Sequence, residues 1–223
     1  MKMKNLAFAI VSFLALLSIG IGFPLSCPSG EDLYPCTCKR MAYGLHVVCA
    51  NFHDSHSLVK AFKVLRDYRV QNVLLHNLVI KDTLPKDLFD GLEISELRVE
   101  KSNLTFQQPA FKGLDKTLHV LNVAQHSVIK SREYFEIARL TELTELNIKK
   151  NPLNVISDHL LQDKIPNVVS VRLDDDEITK IESNAFANLP KLQSISIAEN
   201  RIQRVERSMF PKPATYLKVI DLR

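Results

Sequence analysis

The sequence predicts an α/β repeat protein, built as a curved solenoid with a parallel β-sheet on its concave face and a disulfide-stapled cap at its N-terminal end. Three observations lead to this fold. A short motif recurs every 24 or 25 residues, four cysteines fall between positions 27 and 49 and nowhere else, and the chain opens on a basic and then apolar segment. A fixed period of this length indicates stacked units, because no single unit could bury its own core.

The repeat is clearest when its copies are aligned on their first apolar residue. They read "VLLHNLVI", "LRVEKSNL", "LNVAQHSV", "LNIKKNPL", "VRLDDDEI", "ISIAENRI" and "IDLR", beginning at positions 73, 97, 121, 146, 171, 195 and 220. Each copy approximates L-x-L-x-x-N-x-L, a form that resembles the leucine-rich repeat. We therefore expect six complete repeats and the beginning of a seventh over residues 70–223. We also expect the C-terminal end to be truncated, because a solenoid needs a terminal cap and none follows "YLKVIDLR". A partner that covers this edge strand is the alternative.

The alternation inside each motif predicts a short strand with one buried and one exposed face. In the third copy Leu121 and Val123 point inward, while Asn122 and Ala124 point outward. Function in this architecture usually lies on the concave strand faces. The predicted binding residues are therefore Arg98, Glu100, Asn122, Asn147, Lys149, Lys150, Arg172, Asp174 and Asp175.

The sixth motif position is where the leucine-rich-repeat family usually carries an asparagine that bonds to the backbone of the turn. We call the side chains at this position the ladder. In this chain the predicted ladder residues are Ser102, His126, Asn151, Asp176 and Asn200.

Residues 23–69 form the predicted cap and its connection to the first repeat. The four cysteines Cys27, Cys36, Cys38 and Cys49 allow three disulfide pairings. A zinc site is the alternative, but the gaps of eight, one and ten residues lack the paired C-x2-4-C spacing usual for such a site. Disulfides are favoured in an oxidising compartment. The segment "SLVKAFKVL" predicts a short amphipathic helix before the first repeat.

The cap and the first repeats narrow the resemblance further. The segments "DLYPCTC", "LVKAF", "LPKDLFDGL" and "AFKGLDKTLHVLNV" are similar to an arthropod group of secreted leucine-rich-repeat proteins, typified by the non-catalytic subunit of Oplophorus-luciferin 2-monooxygenase. This resemblance implies the disulfides Cys27–Cys38 and Cys36–Cys49. It also implies a scaffold or stabiliser beside a separate catalytic chain, with no active-site residues of its own.

The N-terminal segment predicts export from the cell. Residues 1–22 combine two early lysines, a long apolar run and small residues near position 20, as in a secretory signal peptide. An uncleaved membrane anchor is the alternative, but a polar, cysteine-bearing segment follows at once. The formal net charge is +4, and it becomes +2 when Lys2 and Lys4 leave with the signal. Basic and acidic residues are interleaved, which disfavours a nucleic-acid groove or a polybasic membrane patch.

The sequence contains one N-glycosylation sequon, "NLT", which begins at Asn103. It follows the strand of the second repeat, so we expect Asn103 near the rim of the solenoid. In a secreted protein this asparagine is a predicted glycosylation site.

Three adjacent carboxylates, Asp174, Asp175 and Asp176, raise the question of a metal or catalytic site. The repeat register separates them. Asp176 takes the ladder position, and the other two face outward beside Lys149 and Lys150 of the preceding strand. Two exposed ion pairs of this kind would offset the negative charge that a metal requires. The cluster "HDSH" at positions 53–56 reads as a solvated connection.

These observations favour a non-catalytic, secreted protein that binds other proteins, with no cofactor and no metal site. It would act as a scaffold or as the companion subunit of a separate catalytic chain or an extracellular protein. It would bind no nucleic acid and would not insert into a membrane after signal cleavage. The alternative is the N-terminal ectodomain fragment of a cell-surface adhesion or signalling receptor. A secreted hydrolase or oxidase is a third class, which no catalytic motif supports.

Overall fold

The computed structural model describes residues 26–130, 137–161 and 165–223. The predicted signal segment 1–22 lies outside these residues. Within them the chain winds into a parallel β-solenoid with a nine-stranded sheet along its concave side. This confirms the predicted fold class. No helix in the described ranges is long and apolar enough to cross a membrane.

The concave sheet follows the repeat register found in the sequence. Its first two strands are antiparallel, and every later strand pairs in parallel with the next repeat. The first residues of the aligned motifs face one another across the sheet, from Val73 to Ile220. In order, the strands are β1 (Cys36–Met41), β2 (Gly44–Ala50), β3 (Val70–His76), β5 (Glu96–Glu100), β7 (Val120–Ala124), β9 (Glu145–Lys149), β11 (Ser170–Asp174), β13 (Ser194–Ser196) and β14 (Val219–Asp221).

The return half of each repeat carries shorter strands. Three of them form a second parallel sheet, namely β4 (Val79–Leu84), β6 (Asn103–Phe106) and β8 (Val128–Lys130). A two-stranded sheet joins β10 (Val155–Ile156) to β12 (Lys180–Ile181). Turns and two 3-10 helices, Ile137–Arg139 and Arg207–Met209, complete the outer side of the described chain.

The core lies between the concave strands and this outer side. From β3 to β13, the inward residues of the concave strands are at most 1% exposed. Behind them runs the apolar spine Phe89, Phe111, Leu160, Phe186 and Phe210, all buried. Phe135, which the repeat register adds to this spine, lies outside the described residues. In the last strand Ile220 is 42% exposed.

The cap is built from two helices, α1 (Gly30–Leu33) and α2 (Ser55–Leu65), around the β1–β2 hairpin. The amphipathic helix predicted from "SLVKAFKVL" is confirmed as α2, which buries Leu58 and Phe62 against the core. Asp54 of the histidine-rich segment is its N-cap, and its carboxylate accepts the backbone N–H groups of His56 and Ser57. A hydrogen bond from the Ser57 side chain, together with these backbone bonds, lowers the pKa of Asp54.

The disulfides join Cys27 to Cys38 and Cys36 to Cys49, the pairing that the family resemblance implies. Cys36 and Cys49 face each other across the β1–β2 hairpin and are 4% and 0% exposed, whereas the other two cysteines are half-buried. The second bond therefore joins the two strands of the hairpin and is itself buried in the core.

Replacing both Cys36 and Cys49 by Ala is expected to lower the free energy of unfolding by about 2–4 kcal/mol. The Cys27→Ala/Cys38→Ala variant is the matched control and should lose less, because its sulfurs fill less of the core. Chemical denaturation of the two variants measures the difference. If the two variants lose the same free energy of unfolding, the buried hairpin disulfide does not stabilise the protein more than the Cys27–Cys38 bond.

Candidate functional site

The outward residues of the concave strands form rows that run across the sheet. Four positions at its centre define what we call the central row: Arg98, Asn122, Asn147 and Arg172. They face one another in register through β5, β7, β9 and β11. Because parallel strands lie about 4.8 Å apart, the row is roughly 14 Å long. It consists of two amides flanked by two guanidinium groups.

The two arginines of the central row are each oriented by a carboxylate on the same strand. The Nε atom of Arg98 lies 2.5 Å from Glu96 Oε1, and Glu96 Oε2 also accepts a bond from Asn72 Nδ2. The Nε atom of Arg172 lies 3.6 Å from Asp174 Oδ2. The two guanidinium side chains remain about half exposed, at 49% and 59%. Their remaining N–H groups therefore face solvent.

The two asparagines of the central row differ from the arginines. Asn122 and Asn147 are half-buried, and their side-chain amides make no hydrogen bond or ion pair within the part of the chain that the structure describes. Each amide carries two donors and one acceptor. The centre of the concave face thus offers hydrogen-bonding groups that the protein itself does not use.

Further charged groups flank the central row. Glu100 lies 3.5 Å from the ring nitrogen Nδ1 of His76. Glu145 and Lys149, at the two ends of β9, are exposed, and neither side chain has an ion-pair partner among the described residues. Both signs of charge are therefore available on β9.

The structure separates the three adjacent aspartates. Asp175 lies in the turn after β11, and its Oδ2 is 4.0 Å from the Nζ of Lys150, the partner expected of it. The expectation that Asp174 pairs with Lys149 is wrong. Asp174 Oδ1 accepts bonds from the Ser196 hydroxyl and the Ala198 backbone N–H, which leaves its side chain only 14% exposed. The Ser196 hydroxyl on the next strand donates directly to the Asp174 carboxylate, so this carboxylate is satisfied without Lys149.

Within the described ranges, no group of three His, Cys, Asp or Glu side chains is placed to hold a metal ion. The three aspartates serve three different purposes: Asp174 links two strands, Asp175 forms a surface ion pair, and Asp176 belongs to the ladder.

The ladder links the turns of successive repeats. Its polar side chains donate to carbonyls where they carry a proton, and all but Asn151 accept a backbone N–H from the preceding repeat. Asn151 Oδ1 is buried and has no hydrogen-bond partner among the described residues. The backbone N–H of Leu78 donates to Ser102 Oγ (3.1 Å), that of Ser102 to Ser127 Oγ (3.2 Å), that of Asn151 to Asp176 Oδ1 (2.7 Å) and that of Asp176 to Asn200 Oδ1 (3.1 Å). These bonds satisfy backbone donors that would otherwise be buried without a partner.

The prediction that His126 is a ladder residue is wrong, because Ser127 holds that position. Ser127 is buried, and its hydroxyl donates to the carbonyls of Val99 and Ala124. His126 is exposed in the turn, and both it and Gln125 have a φ of 59°. The third repeat therefore carries its extra residue in this turn, which shifts the ladder by one position.

Asp176 is the unusual member of the ladder. In Asn200 the amide nitrogen donates to the carbonyls of Leu173, Ile197 and Ala198, and in Asn151 it donates to those of Val123 and Lys149. An ionised aspartate has only acceptors to offer there. Asp176 is fully buried, and its Oδ2 has no hydrogen-bond partner among the described residues.

The pKa of Asp176 is raised from 3.8 to about 7, mainly because burial removes water from the carboxylate. Asp174 and Asp175 raise it further, whereas the N–H of Asn151 and the charge of Lys149 lower it. A protonated Oδ2 could donate as the amide nitrogens do. The buried carboxyl group is therefore a pH-sensitive point in the ladder.

The sequence did not predict the exposed residues at the N-terminal end of the concave face. Met41 is 49% exposed and lines a cavity of about 230 Å³ with His46, Asn72 and Arg98. Tyr43, in the turn of the β1–β2 hairpin, is 79% exposed. The segment "RMAYG" lies outside the repeat, so its spacing did not indicate which face of the protein it occupies. Methionine and aromatic residues of this kind are enriched at protein interfaces.

Comparisons with known proteins agree with this architecture. Residues 166–222 match the family model described as leucine rich repeat. Leucine-rich repeat-containing protein 3 of Danio rerio is 34% identical over 80 residues, which cover 33% of this chain and 30% of that protein. The crystal structure of the TLR13–ssRNA13 complex contains a chain with a TM-score of 0.65 at 20% identity, covering 78% of this chain and 28% of that one. This chain thus matches less than a third of the length of either relative. The fold is thus similar to that of leucine-rich-repeat proteins, and the match to the family model lies in residues 166–222.

Proposed function

We propose that this chain is a secreted, non-catalytic protein that binds a protein partner through its concave face, as a scaffold or companion subunit. The central row carries the proposal, because Asn122 and Asn147 present amides that have no partner within the described chain. The resemblance of the cap and first repeats to the arthropod luciferin-monooxygenase group supports a companion role beside a separate catalytic chain.

The chemistry of the central row fits a polypeptide. A side-chain amide can donate to one atom of a peptide group and accept from another, so two neighbouring asparagines can hold an extended main chain. The half-exposed Arg98 and Arg172 at the ends of the row can take carboxylates. Met41 adds apolar contact area at the cap end of the same face, where it lines a cavity with Arg98.

The charge distribution disfavours a nucleic-acid partner. Phosphate backbones are bound by clustered lysines and arginines. Here acidic and basic side chains alternate, because Glu96 stands beside Arg98 and Asp174 beside Arg172. The RNA named with TLR13 belongs to that protein, and a protein partner matches the mixed charges of this one better.

Changing Asn122 and Asn147 together to Ala is expected to weaken partner binding roughly 10- to 100-fold, the size of a hot-spot loss. The partner would be captured from native extracellular fluid with the full chain and identified by mass spectrometry. Its affinity for each variant would then be measured with purified components.

Gln203→Ala is the matched control, because this exposed side chain lies on the outer side of the solenoid. It should leave the affinity unchanged. If the double variant binds the purified partner as tightly as the wild type, the concave face is not the binding surface.

The fold likeness to TLR13 supports a second candidate, the N-terminal ectodomain of a cell-surface adhesion or signalling receptor. The full-length transcript distinguishes the two candidates. A membrane-spanning segment encoded downstream would favour the receptor, and a stop codon without one would favour the secreted companion.

A further inference from the structure

The sequon at Asn103 has a defined place on the outer side of the solenoid. Asn103 begins β6, the middle strand of the three-stranded outer sheet, and its side chain is exposed. Leu104 is buried in the core, and Thr105 is half-buried. The Asn103 side-chain amide makes no hydrogen bond within the described chain, so its nitrogen is accessible.

Two exposed valines flank this asparagine. Val79 of β4 and Val128 of β8 are the register partners of Asn103 on the two neighbouring strands. They are 42% and 37% exposed, and they are among the large apolar side chains that face solvent. Since neighbouring strands are about 4.8 Å apart, both valines lie within reach of a group attached to Asn103.

An N-linked sugar would suit this surface. The first N-acetylglucosamine is attached directly to the asparagine nitrogen, and the faces of its ring carry C–H groups that can contact apolar side chains. A sugar ring attached to Asn103 on β6 would reach both Val79 and Val128. Without it, two valines are left in water on a sheet whose other outward groups are polar, such as Lys81 and Thr105.

We propose that Asn103 carries an N-linked glycan whose first sugars lie over Val79 and Val128, which shields the outer sheet and leaves the concave face to the partner. The proposal rests on the secretion included in the proposed function. In the transfer, Asn103 Nδ2 loses one proton and bonds to C1 of the first sugar of a lipid-pyrophosphate-linked oligosaccharide. The C1–O bond to the pyrophosphate breaks, and the lipid pyrophosphate leaves.

The first test is mass spectrometry of the full chain secreted by insect cells. We expect the peptide containing Asn103 to carry hexose and N-acetylhexosamine masses, and a glycan amidase to convert Asn103 to Asp. Thr105→Ala should abolish the modification, while the matched Thr105→Ser variant retains it. A secreted protein with unmodified Asn103 would overturn this inference alone, whereas failure of the cells to export the chain would contradict the proposed secretion.

The second test asks whether the sugar covers the valines. Trimming the glycan with an endoglycosidase to a single N-acetylglucosamine should leave the melting temperature and the binding of a hydrophobic dye unchanged. Asn103→Gln should lower the melting temperature by about 2–4 °C and raise dye binding. In a Val79→Thr/Val128→Thr background, Asn103→Gln should no longer raise dye binding.

Circular dichroism would establish that each variant is folded before these comparisons. The shielding is overturned if Asn103→Gln leaves both dye binding and melting temperature as they are in the glycosylated protein. It is also overturned if the effect on dye binding persists after both valines have been replaced.

Discussion

Replacing Asp176 by Asn is expected to raise the free energy of unfolding at pH 8 by roughly 4 kcal/mol. The pKa of this buried carboxyl group is about 7 in the folded protein against an ordinary 3.8. A pKa difference of one between the folded and the unfolded chain corresponds to about 1.4 kcal/mol of stability. Above pH 7 the folded protein holds a buried negative charge whose Oδ2 has no donor among the described residues. An asparagine would keep the bond to Asn151 N and place an amide nitrogen where Asn200 and Asn151 have theirs.

The pH dependence follows from the direction of the shift. Below pH 4 Asp176 is protonated in both the folded and the unfolded chain, so its contribution to stability is fully present. Between about pH 4 and pH 7 the unfolded chain releases the proton and the folded chain keeps it, so stability falls as the pH rises. Above pH 7 both states are ionised and the fall ends. Urea denaturation from pH 4 to pH 8 should show this loss in the wild type and not in Asp176→Asn.

The double variant Asp176→Asn/Asn200→Asp provides the matched control, because it moves the aspartate one repeat further along the same ladder. Its stability should fall as the pH rises above 4, by a smaller amount than in the wild type because Asn200 is only half-buried. If the wild type and Asp176→Asn have parallel stability curves over this range, Asp176 is ionised in the folded protein throughout and the assigned pKa is wrong.

Replacing Phe89 by Ala is expected to lower the free energy of unfolding by about 3–5 kcal/mol. Phe89 is fully buried, and its ring centroid lies 5.7 Å from that of Phe62, 6.0 Å from Phe106 and 6.4 Å from Phe111. It therefore connects helix α2 of the cap to the first two repeats. Removing the ring leaves a cavity among three aromatic side chains that cannot close without moving the cap.

The measurement is equilibrium denaturation of the full chain, followed by circular dichroism. Phe89→Leu should cost much less, because it retains most of the apolar volume. Phe210→Ala is a positional control, because Phe210 has one aromatic neighbour among the described residues, Phe186 at 5.9 Å, and it should cost less than Phe89→Ala. Similar losses for Phe89→Ala and Phe210→Ala would show that Phe89 does not join the cap to the repeats.

The concave sheet could be predicted well because its register depends on spacing alone. Leu97, Leu121 and Leu146 face one another in the structure as they align in the sequence. Stacked parallel strands leave little freedom once the repeat length is known, since a one-residue slip would turn the core leucines outward. Helix α2 was predictable for a similar reason, because its apolar spacing matches the helical period.

The ladder and the cap end were harder to predict. A 25-residue step shows that an extra residue exists, but not whether it lies before or after the ladder position, and this is why Ser127 was missed. Asp174 was assigned the wrong partner because a register places residues side by side without showing which contact a side chain selects. Met41 is in an antiparallel hairpin that has no repeat, so spacing could not place it beside Arg98 on the concave face.

The turn at Gln125 and His126 allows this repeat to contain one more residue while its strand still pairs with the next strand in register. The additional residue is accommodated by two successive left-handed conformations, while β7 and β9 remain paired at five consecutive positions on the strand side of that turn. Beyond it the amide nitrogen of Asn151 still donates to the Val123 carbonyl, although its Oδ1 accepts no hydrogen bond among the described residues. An extra residue at this rim therefore lengthens the repeat without changing the pairing of the concave strands. Such a position lets evolution vary the border of the concave surface while the scaffold beneath it stays the same.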